Sequence, residues 1–112
     1  MEVIYYGKDC GGHWHCDPPK EGDEIVILTL LGSATFELRV GLETVDAIQT
    51  APGTLVRLAG AARHECEHCA GVAREGSVRV ALQLFLWLAV LRCSFMTRTH
   101  DARICVFNVR CA

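Results

Sequence analysis

The strongest constraint on the fold is a change of pattern at Gly32-Ser33. Before it, residues 25–31 (Ile-Val-Ile-Leu-Thr-Leu-Leu) are apolar on both faces, as a central strand covered on both sides would be. After it, residues 35–40 (Thr-Phe-Glu-Leu-Arg-Val) alternate polar and apolar without a break, the mark of a strand with one wet face. The two are expected to pair as an antiparallel hairpin. Weaker strands are expected at residues 1–6, 45–50 and 55–58, bounded by Gly7, the Pro52-Gly53 turn and Gly60. Residues 77–85 alternate again, with Val78, Val80, Leu82 and Leu84 on one face and Arg79, Ala81, Gln83 and Phe85 on the other. Two prolines and a glycine among the charges of residues 17–24 break the chain into a loop. No stretch has a convincing helical period, so short strands between Gly/Pro turns predict a mainly β, antiparallel barrel or sandwich.

A chain of 112 residues is one small domain, and 51% apolar against 21% charged residues gives it a generous core. Its formal charge of -2 provides no global basic field, so a nucleic-acid partner would need a local patch. The seven cysteines are odd in number and lie beside histidines more often than in a disulfide-like spacing, and no secretory signal opens the chain. A reducing, intracellular compartment (cytoplasm or nucleus) is therefore expected. The longest apolar run, residues 80–91, is broken by Gln83 and is too short for the roughly 20 residues of a membrane-spanning helix, so no membrane partner is expected.

The chemistry centres on His15-Cys16-Asp17. On an extended backbone, residues two apart share a face, so His15 and Asp17 can aim an imidazole nitrogen and a carboxylate oxygen at one point while Cys16 faces away. A third ligand must come from residues 63–69 (Arg-His-Glu-Cys-Glu-His-Cys), where His64 and His68 are both candidates. Two histidines and one carboxylate are the facial triad of non-haem Fe(II), which leaves three adjacent coordination positions for a bidentate 2-oxo acid and dioxygen. The far carboxylate of such an acid needs a cation, and Arg79 on its strand's polar face can supply one.

These residues resemble the AlkB-like branch of the 2-oxoglutarate and Fe(II)-dependent dioxygenases. The resemblance runs from about Tyr5 to Phe85. Tyr6 stands where the family has a tyrosine contacting the cosubstrate, and His15-Cys16-Asp17 matches its His-x-Asp. Residues 60–68 resemble its Gly-x-x-Arg-x-x-x-x-His segment, and residues 77–85 its terminal Arg-x-x-x-x-x-Arg strand. The resemblance implies a double-stranded β-helix (jelly-roll) barrel over residues 1–91, with residues 92–112 as a tail of uncertain structure. It implies His15, Asp17 and His68 as ligands of Fe(II), and Arg79 with Tyr6 as the site for 2-oxoglutarate. The implied activity is oxidative demethylation of an N-methyl group on a nucleic-acid base or a protein.

Two departures bear on function. Phe85 replaces the family's second arginine, and Ile4 an asparagine that often precedes the tyrosine. The family also has strands and helices before the position of Tyr5, including the parts that grip an alkylated base, so the resemblance implies a barrel truncated at its N-terminus.

Three rival expectations use the same residues. Cys10, His13, His15 and Cys16 with His64, Cys66, His68 and Cys69 have the donors for a closed structural zinc site, although neither cluster has paired Cys-x-x-Cys spacing. A cupin-like binding module would use His13, His15 and His64, leave Asp17 idle and draw its glutamate from Glu21 or Glu24. A truncated, non-catalytic chain would use open sheet edges for self-association or a partner. In every case Arg63 is expected to make a local salt bridge with Glu65 or Glu67.

Overall fold

The computed structural model describes residues 1–73 and 77–87, together with the backbone of residues 105–108. The chain is mainly β. Its elements run β1 (Glu2–Tyr6), β2 (Glu24–Leu31), β3 (Ala34–Val40), β4 (Glu43–Thr50), β5 (Thr54–Leu58), a one-turn helix α1 (Ala61–His64), β6 (Glu67–Ala70), β7 (Arg79–Leu86) and β8 (Cys105–Asn108). All strand pairing is antiparallel among the described residues. One sheet has five strands in the order β1-β7-β2-β5-β8, the other three in the order β4-β3-β6, and among the described residues they do not close into a barrel.

The core lies between the sheets. Ile25 and Ile27 of β2, Val56 and Leu58 of β5 and Ala81 of β7 meet Phe36 and Leu38 of β3 and Ala70 of β6. Burying each of the larger side chains contributes about 1.5–3 kcal/mol, so this shared layer holds the two sheets together.

The expected hairpin between residues 25–31 and 35–40 does not form. β2 pairs with β7 along one edge and with β5 along the other, so no edge of it remains for β3. The Gly32-Ser33 break instead carries the chain from one sheet to the other. Gly32 has φ +76°, and a Cβ there would lie 2.2 Å from the Val78 carbonyl oxygen, so only glycine fits this crossing. The true hairpin is β3–β4, closed by Gly41-Leu42, with Val40 opposite Glu43.

Three short elements were not expected from the sequence: α1, β6 and a single 3-10 turn at Pro19–Glu21 within the loop of residues 17–24. β8 falls within the stretch expected to be a tail and pairs as an edge strand on β5. The rest of that stretch lies outside the described residues.

On β7 the inward face is the polar one. Arg79, Ala81 and Gln83 are buried, while Val80, Leu82 and Leu84 are only partly covered on the outer face. Apolar burial would favour the opposite choice. The inversion has a local cause, because this face fronts a cavity.

Candidate metal centre and adjoining cavity

Residues 11–17 follow β1 as an extended segment that docks on the free edge of β6. Gly12 N donates to Ala70 O (2.7 Å), while His15 and His68 exchange backbone hydrogen bonds of 3.2 and 2.8 Å. The close approach depends on Gly11, where a Cβ would sit 2.9 Å from Val72 N and 3.0 Å from Gly71 C. Outside the sheet, Trp14 lies under the Arg39 guanidinium, 4.3 Å from carbon to ring centroid, and Arg39 Nε donates to Glu67 Oε2 at 2.8 Å. This backbone pairing and side-chain clamp put the first half of the site beside the second.

Across that bridge His15, Asp17 and His68 converge. One ligand atom from each lies within 4.8 Å of the other two, a group that can hold a metal ion. His15 Nε2 is 3.4 Å from Asp17 Oδ1 and His68 Nε2 is 3.2 Å from Asp17 Oδ2. The fit to a cation is visible in atoms left without partners. His15 Nδ1 lies 2.7 Å from the His13 carbonyl oxygen, which fixes the proton on Nδ1 and turns the Nε2 lone pair toward the carboxylate. Asp17 Oδ2 and His68 Nδ1 are buried without a hydrogen bond. The His15 Nε2 lone pair and the Asp17 carboxylate repel across 3.4 Å, and a cation between them reverses the sign.

Asp17 is 8% exposed and His68 4%. Burial works to raise the Asp17 carboxyl, but His68, with lesser help from His15 and Arg63, holds it below its ordinary value. It is therefore a carboxylate at neutral pH, as a metal ligand must be. Phe36 stacks on His68 with ring centroids 5.7 Å apart and fixes the imidazole plane.

Arg63 does not make the expected local salt bridge. It is 1% exposed, and its guanidinium donates to the carbonyl oxygens of Asp17 (2.7 Å), Pro18 (2.9 Å) and Gly22 (3.1 Å). Glu67 pairs with Arg39 instead. The one-turn helix aims Arg63 back at the loop of residues 17–22, where three carbonyls lack sheet partners and a five-donor fork can serve all of them. Arg63 thus ties the loop carrying Asp17 to the segment that leads into β6 and His68.

The metal-capable group borders a cavity of about 220 Å³. That is smaller than the ~300–1,000 Å³ typical of drug-sized ligands and suits a small metabolite. Arg79 and Tyr6 line it together, being register partners on β7 and β1, with the guanidinium carbon 5.6 Å from the Tyr6 ring centroid. Arg79 is 2% exposed; its Nη2 reaches Thr29 Oγ1 at only 3.5 Å and its Nε has no acceptor. Among the described residues no carboxylate pairs with it. Burial lowers its pKa, partly offset by Tyr6. Burial raises the Tyr6 phenol against the opposing effect of Arg79, so the hydroxyl stays protonated as a donor.

The rival ligand sets are not brought together. His13 and His64 are exposed and stand outside the metal-capable group, and among the described residues no cysteine joins it. Cys10, Cys16, Cys66 and Cys69 are free thiols. Burial pushes the Cys66 and Cys69 thiols up, which disfavours the thiolates a zinc site needs.

The sequence did not reveal Phe36, Arg63 or Gln83 as parts of the site. Phe36 carried a detectable signal, since strict alternation in residues 35–40 places it on the inner face. No protein-family model matches the chain, and no curated protein sequence matches it.

Proposed function

We propose that this chain is a 2-oxoglutarate and Fe(II)-dependent oxygenase of the AlkB-like kind, and that its two sheets are the walls of a double-stranded β-helix. The observation that carries this reading is the pairing of two unmet demands in one cavity. A two-histidine, one-carboxylate group there asks for a cation, and a buried arginine without a carboxylate asks for an anion. A metal alone would answer only the first.

In this reading His15, Asp17 and His68 would hold Fe(II). Arg79 binds the far carboxylate of 2-oxoglutarate in a water-poor setting, where a charge-assisted hydrogen bond is strongest. Tyr6 donates its phenolic proton to the same acid, and Thr29 steadies the guanidinium. Phe36, Ile27 and Ala70 keep the cavity wall dry around the ligands. Bound iron would supply dioxygen activation, with one oxygen atom oxidising 2-oxoglutarate to succinate and carbon dioxide and the other hydroxylating an N-methyl group that would leave as formaldehyde.

The test is anaerobic titration of the purified chain with Fe(II) and then 2-oxoglutarate, followed by visible spectroscopy. A charge-transfer band of the chelated oxo acid is expected in the wild type and not in Asp17→Ala, with the far-ultraviolet circular dichroism of the two alike. Stoichiometric zinc that iron does not displace, with no band, would overturn the assignment.

A further inference from the structure

The cavity has a second end that neither the metal group nor Arg79 occupies. Along β1 and β7 the paired inner residues run Tyr6 with Arg79, Ile4 with Ala81 and Glu2 with Gln83, and Phe85 follows on the same face of β7. Four residues of strand place Glu2 about 13 Å along β1 from Tyr6. Glu2, Ile4, Pro18, Glu21, Gln83 and Phe85 line this end.

Its chemistry differs from the deep end in three respects. The two charged side chains are both carboxylates, Glu2 exposed and Glu21 half-buried, and apart from buried Arg79 no lysine or arginine lines the cavity among the described residues. Phe85 offers an aromatic surface where the family resemblance would place an arginine. Gln83 is 6% exposed and lines the cavity, so its amide is within reach of a ligand held there.

We infer that this outer end receives a positively charged, N-methylated amino-acid side chain of a peptide, with Glu2 and Glu21 meeting the charge, Phe85 facing the methyl groups and Gln83 contacting the remaining polar group. A methylated cation is weakly hydrated and bulky, and an aromatic face with carboxylates nearby is the surface that favours it. A nucleic acid carrying a cationic methylated base would satisfy the same pocket. Its phosphates, however, would approach two rim carboxylates on a chain of net charge -2, with no basic counterpart in the lining. This inference rests on the oxygenase reading for the fate of the methyl group, but the binding it asserts stands apart from the metal.

The experiment titrates the full chain, with and without Zn(II) as an inert metal, with three probes: a peptide bearing trimethyl-lysine, the same peptide with its uncharged tert-butyl isostere, and a single-stranded oligonucleotide bearing one cationic N-methylated base. Calorimetry reads the affinity, and Zn(II) binding is measured on the same samples. The trimethyl-lysine peptide is expected to bind at least tenfold more tightly than either other probe. Glu2→Gln combined with Glu21→Gln should remove that preference at least tenfold while leaving Zn(II) affinity unchanged. Equal binding of the isostere, tighter binding of the oligonucleotide, no binding of the peptide, or indifference to the double substitution would each overturn the inference. If the peptide binds as expected but the chain holds no metal, the oxygenase reading falls alone. If the metal and the oxo acid bind but the peptide does not, the substrate assignment falls alone.

Discussion

Replacing Arg79 by methionine tests the reasoning at its most exposed point, because a functional arginine and a structural one make opposite predictions. Arg79 is 98% buried, meets one hydroxyl at the outer limit of hydrogen bonding, and has no carboxylate among the described residues. Its compensation in the free protein is therefore small. The contact with the Tyr6 ring is worth about 0.5–2 kcal/mol, whereas an inadequately paired buried charge costs several kcal/mol. Arg79→Met keeps the aliphatic stem and removes the charge. It should therefore stabilise the free chain by about 1–4 kcal/mol, on the scale seen when buried ionic groups are exchanged for apolar ones. For a domain near this size that raises the melting temperature by roughly 4 °C per kcal/mol. With 2-oxoglutarate at a hundred times its dissociation constant the wild type gains about 2.7 kcal/mol, and the variant gains none. Thermal unfolding of both proteins, with Zn(II) present and with and without the oxo acid, reads all four values. A variant that melts lower than the wild type without ligand would show that Arg79 is held for the fold. A variant that still shifts with 2-oxoglutarate would show that the anion binds elsewhere.

Three further outcomes follow from the site geometry. His68→Ala should weaken Co(II) or Zn(II) binding by at least ~100-fold, beyond the 10–100-fold typical of losing an outer-shell partner, while His64→Ala, exposed and outside the group, should leave it unchanged. Arg63→Met should cost about 1–3 kcal/mol for each carbonyl of Asp17, Pro18 and Gly22 left dry, and should weaken the metal ~10–100-fold through the displaced carboxylate; urea denaturation and metal titration separate the two effects. In the metal-free chain the Asp17 carboxyl titrates below its unfolded value, so its contribution to stability is present above about pH 4 and is lost as pH falls through the lowered value. Urea midpoints between pH 3 and 6 should therefore fall less steeply for Asp17→Asn than for the wild type, and parallel curves would show that the carboxyl is not held down.

The strands were legible in the sequence because their signals are local. Alternation in residues 35–40, the apolar run at 25–31 and the Gly/Pro breaks locate β3, β2 and their ends within a residue or two. Pairing was not legible, because it is decided by which edges remain free. The Gly32-Ser33 break looks like a hairpin loop, yet β2 has both edges occupied by β5 and β7. β6 was hidden for a similar reason. Residues 67–70 (Glu-His-Cys-Ala) have little strand propensity, and their extended form comes from β3 on one side and the docked segment 12–15 on the other.

The site shows the same division between local and distant causes. The convergence of His15 with Asp17 could be anticipated from a spacing of two; family register pointed to His68 over His64, and His68 is the histidine that stands beside them in the structure. Arg63 was misjudged because neighbours in sequence, Glu65 and Glu67, seemed the nearest charges, whereas its three acceptors lie 41 to 46 residues away. β7 carries the wider lesson. Its alternation offered an apolar face and a polar face, and an ordinary antiparallel strand would bury the first. Here Arg79 and Gln83 go inward, and Val80, Leu82 and Leu84 stay partly uncovered. A small domain keeps so costly an arrangement only if something recovers the cost. The two groups turned inward differ in kind, a cation beside Tyr6 and a neutral amide opposite Glu2. One cavity with an anion-seeking end and a cation-tolerant end is what an enzyme would need to hold an acidic cosubstrate and a positively charged substrate side by side.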